Sequence, residues 1–595
     1  MNKQWVLKEV NEDLVDQLYE ELKINRTLCK LLVQRGIHSH DEAKRFFRPS
    51  LEEHLHDPFL MKDMDAAIER IDHAMHQKEK ILVYGDYDVD GTTAVALVYA
   101  FLKDLYFYVD YYIPDRYKEG YGISVQGIDW AAENNFSLII ALDCGIKAVD
   151  QVAYATTKGV DFIICDHHRP DEIIPSAKAV LDPKRIDCTY PFKELSGCGI
   201  GFKLIQALAA KKNIPFRKVT KHLDLVAVSI AADIVPIVDE NRVLAYYGLK
   251  RLNKSPRPGF RSLIELNALN RKLSISDIVF IIAPRINAAG RMDDAKEAVR
   301  LLISQEGAIA KQNANILQER NTERKQIDAD ITEEAMNLIK DNEVMLAKKS
   351  TVLYQSHWHK GVIGIVASRL IEKYHKPTII LTLSNGMVAG SARSVRGFDV
   401  YNAIKACKHL LDQFGGHKYA AGLTLKEENV PAFIEMFEKV VADTIEDHML
   451  IPEIEIDSEL SLFDFNGKLF KLLKQFAPFG PGNKKPVFMS TGVTDTGWSS
   501  IVGQNHLKLY VKQNNSYSVK GIAYNMGNRY EEVAKGEKFD LCFSMEENRY
   551  NKNVSLQMNV RDLQQDANVV QRSFDESDTN VVEKSIADVT EKSDS

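Results

Sequence analysis

Cysteine is scarce in this chain of 595 residues: there are seven, an odd number, and no CxxC pair. That argues against a disulfide framework and against a zinc site built on thiolates. It is the pattern of reduced thiols in a cytoplasmic protein. Long apolar runs are missing as well. None approaches the ~18 residues a membrane span needs. The opening MNKQWVLKEVNEDL carries charges where a secretory signal would be apolar. No membrane association is expected. Nor is positive charge in excess, since the net charge is −7 and −4 of it falls in 567–595. Local basic surfaces on the rest stay open to nucleic acid. What is present is the composition of a globular protein, 45% hydrophobic and 27% charged. The length suits about three or four domains.

The hydropathy pattern divides the chain. Residues 1–55 read as a polar helical segment. Over 56–303, short unbroken apolar runs alternate with helical patterns such as TTAVALVYAFLKDL (92–105). The runs are ILVYG (81–85), SLIIALDCG (137–145), VDFIICDHH (160–168) and AKAVLDP (177–183). Apolar strands without alternation, with helices between them, predict a parallel doubly wound sheet. The stretch 304–345 lacks Gly and Pro after Gly307 and is polar over most of its circumference, which predicts a helix connecting two domains. Residues 346–448 alternate again as a second α/β domain. From 449 to 566 the pattern becomes β-like, with hairpin signals at Asn514-Asn515 and Asn551–Asn553, and predicts a small OB-like barrel. The Ser/Asp/Glu-rich stretch 567–595 is expected to be disordered.

The chemistry lies in DYDVDG (86–91). It begins as an EF-hand loop begins, with Asp86 first and Gly91 sixth. The twelfth position should be a bidentate Glu, and it is Leu97. The calcium reading fails there. The alternative is a strand that delivers carboxylates. Asp86 follows ILVYG, Asp143 ends SLIIAL, and Asp166, His167 and His168 end VDFIIC. In an open parallel sheet these ends share one edge, where ligands bind. Asp86, Asp88 and Asp90 stand two apart and would project to one side of extended backbone. Gly91 would allow a tight turn into the next helix. Asp233 is a lone acid in the apolar DLVAVSIAADIVPI, a burial that calls for a cation or a partner. So many acids repel unless cations are present. Carboxylates and imidazoles without thiolate suit Mn²⁺ or Mg²⁺, with ligands enough for two ions. Paired ions serve the hydrolysis of phosphodiesters or phosphoanhydrides.

DYDVDG, LDCG, DHH and AADIVP, in this order, resemble the DHH phosphoesterase superfamily, and FGGHKYAAG (414–422) resembles its DHHA1 domain. YYIPDRYKEGYG (111–122), PRINAAGRM (284–292), HWHKGVIGIVASRL (357–370) and GSARS (390–394) narrow the resemblance to the RecJ family of bacterial single-strand-specific 5′→3′ DNA exonucleases. It covers about residues 30–565. It implies release of 5′ mononucleotides in DNA recombination and repair. It implies that Asp88, Asp90, Asp143, His167 and Asp233 ligate metal, that Asp86 and His168 ligate or support the second ion, and that Asp166 orients a histidine. Arg116, Arg285 or Arg291, Ser391 or Ser394, and Arg393, with His417 across the cleft, are implied for DNA contact. Implied partners are single-stranded DNA with a free 5′ end, a RecQ-type helicase and a single-stranded-DNA-binding protein, for a monomeric enzyme. The barrel's Trp498, Tyr510, Tyr517, Tyr524 and Tyr550, among Lys508, Lys512, Lys520 and Arg549, would bind the strand by stacking and charge. Many members from low-GC Gram-positive bacteria carry a further domain after the barrel. The acidic stretch 567–595 is too short for one, so partner recruitment through it is not expected. Two other readings compete: an enzyme for short oligoribonucleotides, cyclic dinucleotides or pyrophosphate, and a scaffold that has lost catalysis. The long helix and barrel weigh against the first. The filled ligand positions weigh against the second.

Overall fold

A computed structural model describes residues 3–292, 294–550 and 553–572. They fall into two units, residues 50–445 and residues 3–49 with 446–572.

The first unit holds a five-stranded parallel sheet. Its order is Val109–Tyr112, Lys80–Gly85, Phe136–Leu142, Asp161–Cys165, Ala179–Leu181. Helices cover both faces. Val89–Lys103 and Gly197–Lys211 pack on one with Ile81, Val83, Leu138 and Ile140; the other face buries Leu82, Tyr84, Ile139 and Ile164. Burial on both faces explains why these strands read as unbroken apolar runs. The connecting helix runs Gly307–Lys340, 34 residues long. Its first half packs against Pro258–Leu266, Ala283–Met292 and Lys296–Ile303, and its second against Ile363–Tyr374. It is polar because the buried side includes Asn321, Arg324, Asp328 and Thr332 beside Ala310, Ala314 and Leu317. Asp328 Oδ2 accepts from Arg369 Nη2 at 2.6 Å, so a buried charge meets its opposite. The second α/β part carries a mixed five-stranded sheet, in which only Thr351–Tyr354 and Thr378–Ser384 pair in parallel.

The other unit is the barrel. Seven strands from Ser458 to Gln564 form one sheet, and Phe488–Asp495 also pairs with His506–Gln513. The hairpin at Asn514-Asn515 is present, with Asn514 at φ 50°. The turn expected at Asn551–Asn553 falls on residues 551–552, outside the described residues, as do the side chain of Tyr550 and all of 573–595. Trp498, Tyr517 and Tyr524 are exposed. Tyr510 lies between Lys508 and Lys520, whose ammonium groups stand 5.4 and 5.8 Å from its ring.

Two expected boundaries are corrected. Residues 1–55 are not a separate helical segment. Gln4–Lys8 is a strand between Glu453–Ile456 and Val569–Arg572, parallel to both. Its Trp5 is buried and donates from Nε1 to Asp562 Oδ2 at 2.9 Å. The barrel unit also continues past 566, because Val569–Arg572 completes that small sheet. Five residues whose pairing partners lie over 400 positions away leave no local signal. Among the described residues no helix is long and apolar enough to cross a membrane.

Candidate metal centre

Lys80–Gly85, Phe136–Leu142 and Asp161–Cys165 are neighbours in parallel, so their carboxyl ends meet at one edge. Asp86, Asp143 and the run Asp166–His168 leave from that edge, and all but His168 are buried. Asp143 has φ 58°, in the left-handed region, which Asp tolerates better than most residues. Asp233 is the C-cap of Leu223–Ala232.

The expected row of carboxylates on extended backbone does not form. The strand stops at Gly85. Asp88 is the N-cap of Val89–Lys103, accepting from Gly91 N at 2.9 Å, and Asp90 lies in the first helical turn. An acid at each of these positions stabilises the helix start, which outweighs strand extension. Gly91 acts by close approach rather than by a turn, since a β-carbon there would stand 2.4 Å from the Asp86 carbonyl oxygen. Leu97 is buried in the same helix, which leaves no twelfth calcium ligand.

His167 stands at the centre. Its Nε2 lies 3.1 Å from Asp143 Oδ1, 3.6 Å from Asp233 Oδ2 and 3.8 Å from Asp90 Oδ2. Two groups of ligand atoms form around it, Asp143–His167–His168 and Asp90–His167–Asp233, each with its atoms within 4.8 Å of one another. Asp86 is buried close by, and neither of its oxygens accepts a well-formed hydrogen bond.

The electrostatics fit a cation. Burial, then Asp88, pushes Asp86 well above the usual carboxylate range. Burial, then Asp90, does the same to Asp143. Asp90 rises to about 7 through burial and the charges of Asp233 and Asp88. Burial lowers His167 to about 3, so the imidazole is neutral with its lone pair available. Acids crowded at the cost of their own ionisation, beside a neutral imidazole, form a donor set that one or two hard divalent cations would satisfy.

A second layer holds these groups, and the sequence hid much of it. Asp90 accepts from Gly197 N at 2.7 Å, Cys198 N at 2.8 Å and Ser229 Oγ at 2.7 Å. Ser229 Oγ also lies 2.6 Å from Ser196 Oγ, the N-cap of Gly197–Lys211. Asp166 accepts from His167 N, His168 N and Ile146 N, and from His168 Nδ1 at 2.7 Å. Burial raises the Asp166 carboxyl, but His168 overrides this and holds it well below the usual range. Ionised Asp166 therefore keeps the His168 proton on Nδ1 and leaves Nε2 as the donor atom. Tyr121 OH lies 3.3 Å from that Nε2.

The expected DNA-contacting residues divide. Arg116 lies over the Tyr87 ring, 5.1 Å from its centroid, near enough for Asp86 to feel its charge. Arg291 Nη1 donates to the Gly361 carbonyl at 3.3 Å. Arg285 is instead buried in helix packing, donating from Nε to Gln318 Oε1 at 2.7 Å and from Nη1 to the Ile281 carbonyl. Arg393 Nη1 donates to Ser391 Oγ at 3.1 Å, beside Gly364 in the first turn of Ile363–Tyr374. Ser394 is buried and turned to the Phe398 carbonyl. His417 is exposed on Gln413–His417.

Comparison with known proteins gives three family matches: the DHH family N-terminal domain over 80–230, the DHHA1 domain over 347–443 and the RecJ OB domain over 456–562. The chain is 36% identical over 562 residues to the single-stranded-DNA-specific exonuclease RecJ of Bacillus subtilis, covering 94% of this chain and 70% of that protein. It is 31% identical over 560 residues to that of Escherichia coli, covering 90% and 95%. The crystal structure of RecJ in complex with Mn²⁺ from Thermus thermophilus superposes with a TM-score of 0.82 at 26% identity, over 95% of this chain and 80% of that one.

Proposed function

This chain belongs to the RecJ family, and from that premise we propose that it is a metal-dependent exonuclease that removes mononucleotides from the 5′ end of single-stranded DNA. The observation that carries the reading is the cluster around His167, where three acids and two imidazoles converge and burial suppresses the ionisation of Asp90 and Asp143. Asp90, Asp143, His167 and Asp233 would hold one Mn²⁺ or Mg²⁺, and Asp86, Asp88 and His168 would contribute to a second. Ions bound there would supply a more acidic water and offset charge on the phosphoryl oxygens and the leaving group.

The chain's own groups supply position and charge. Asp166 fixes the His168 tautomer, and the Gly197 and Cys198 amides fix Asp90. Arg116, Arg291, Ser391 and Arg393 offer donors for phosphate oxygens on the second α/β part and beside it. The basic and aromatic outer strands of the barrel suit sequence-independent grip on a single strand, stacking bases and tracking phosphates. The substrate must be unpaired, so the enzyme works after strand separation in recombination and repair, beside a RecQ-type helicase and a single-stranded-DNA-binding protein. It acts in the cytoplasm as a monomer.

The test is end polarity. Single-stranded DNA labelled at either end is incubated with the protein and Mn²⁺, in parallel with RNA of the same sequence. Mononucleotides released from the 5′ end support the reading. Cleavage confined to di- to pentanucleotides would move it to an oligonucleotide-clearing enzyme.

A further inference from the structure

The helix Ala283–Met292 is entered through an unusual turn. The five residues before it, Ile278–Ile282, are π-helical, and the Ala283 amide donates to the Ile278 carbonyl. Such turns are rare and occur often at functional sites. Pro284 gives a local cause. It stands second in the helix, has no amide to donate, and in a continuous α-helix its ring would clash with the Phe280 carbonyl. A turn widened by one residue relieves that clash.

Arg285 closes the wide turn from inside. It is buried. Its Nη1 donates to the Ile281 carbonyl within the turn, and its Nε donates to Gln318 Oε1 at 2.7 Å. One guanidinium thus ties the turn to the connecting helix Gly307–Lys340. About a turn and a half further on, Gly290 lies against the loop of acids. A β-carbon there would stand 2.6 Å from the Tyr87 carbonyl oxygen, and Tyr87 joins Asp86 to Asp88. The π turn also packs against Leu223–Ala232, whose C-cap is Asp233. The helix after it packs against Val89–Lys103, which Asp88 caps and which holds Asp90 in its first turn. This one piece of chain therefore borders the loop or helix end that carries each of Asp86, Asp88, Asp90 and Asp233.

We propose that Arg285 is a positioning residue of the metal centre. By clamping the π turn it sets the register of Ala283–Met292, and through Gly290 the seat of the Tyr87 carbonyl between Asp86 and Asp88. Register is a coarse variable. If the turn relaxed to α, the helix beyond it would rotate by about 100° and slide by about 1.5 Å. Gly290 would leave the Tyr87 carbonyl, and a residue with a side chain would take its place. The inference rests on the exonuclease reading and adds to it a residue that acts on the ligands of the ions from behind.

The experiment measures Mn²⁺ binding by the full-length protein by isothermal titration, beside binding of single-stranded DNA by fluorescence anisotropy in EDTA. Arg285→Gln should weaken Mn²⁺ binding about tenfold while DNA affinity in EDTA holds, and cleavage should recover as Mn²⁺ is raised. Arg285→Lys keeps one donor and should fall between Arg285→Gln and the wild type. Gly290→Ala leaves Arg285 intact and should weaken Mn²⁺ binding as well. These two variants carry the test if Arg285→Gln does not fold. A lower melting temperature with wild-type Mn²⁺ affinity would make Arg285 a packing residue only and overturn the proposal. Loss of DNA affinity in EDTA with Mn²⁺ affinity unchanged would make it a DNA ligand, and overturns the proposal equally. Cleavage of single-stranded DNA by the wild type is followed in parallel. Its absence would sink the exonuclease reading, whereas the Mn²⁺ titrations judge Arg285 by themselves.

Discussion

His168 Nδ1 lies 2.7 Å from Asp166 Oδ1, and the imidazole is 44% exposed while the carboxylate is 1% exposed. The acid is fixed from three backbone amides and cannot follow the ring. The ring is therefore aimed by the acid, with Nε2 facing the centre.

Asp166→Asn removes the charge that holds this tautomer. We expect Mn²⁺ affinity to fall by about 10–100-fold, measured by isothermal titration, with activity partly recovered at high metal. Unchanged metal affinity would show that Asp166 does not orient a ligand.

Asp90 sets a pH signature. Its folded value is about 7, against an ordinary carboxylate value near ~4. Between these values the folded state holds a proton that the unfolded state has released, so this group makes stability fall as pH rises. His167, lowered to about 3, acts in the opposite sense below its ordinary value. Asp90→Asn isolates the first contribution. Without metal, the melting temperature of the variant relative to wild type should climb between about pH 4 and pH 7. A flat difference across that window would contradict the assigned protonation.

Gly197→Ala tests the crowding behind the site. A β-carbon there would stand 2.6 Å from Asp143 Cβ and 2.7 Å from Asp143 Oδ1. Both atoms belong to the buried Asp143, which must move. We expect at least a tenfold loss of nuclease activity with the fold kept by circular dichroism, in keeping with the sensitivity of catalysis to ångström-scale misplacement. Wild-type activity would mean that the carboxylate has room to spare.

Arg285 and Arg116 should separate by measurement. Arg285→Ala removes the donor that reaches the part-buried Gln318 Oε1 and Ile281 carbonyl, and should cost about 1 kcal/mol of stability, read as a lower melting temperature. Arg116→Ala should instead raise KM for 5′-phosphorylated DNA. Exchanged outcomes would reverse the assignment.

Where the sequence was readable, a physical reason stands behind it. Strands buried on both faces print as unbroken apolar runs, and the acids after ILVYG, SLIIAL and VDFIIC thereby announced a common edge. Asp90's supports did not announce themselves. Two are backbone amides, which carry no residue identity, and they come from over 100 positions away. Only the Ser-Gly-Cys-Gly run at 196–199, a capping serine followed by small residues, could have marked that helix start. Arg285 and Arg291 are six positions apart on a helix that turns about 100° per residue, so they face different ways. Which of them is buried depends on the connecting helix, and motif matching cannot see that. The row of three aspartates misled because alternate spacing reads as strand, while capping at Asp88 had already begun a helix.

The strand Gln4–Lys8 has a consequence for synthesis. It is the middle strand of a sheet whose outer strands are Glu453–Ile456 and Val569–Arg572. On the ribosome, at roughly 5–20 residues per second, its partners emerge about half a minute to two minutes later. The nuclease unit, contiguous from residue 50 to 445, can complete its core during that interval. Residues 3–49 cannot, and Trp5 stays without its pocket until the barrel arrives. A segment made long before its partners is thus among the last to find its place, a natural client for a chaperone that shields nascent apolar chain.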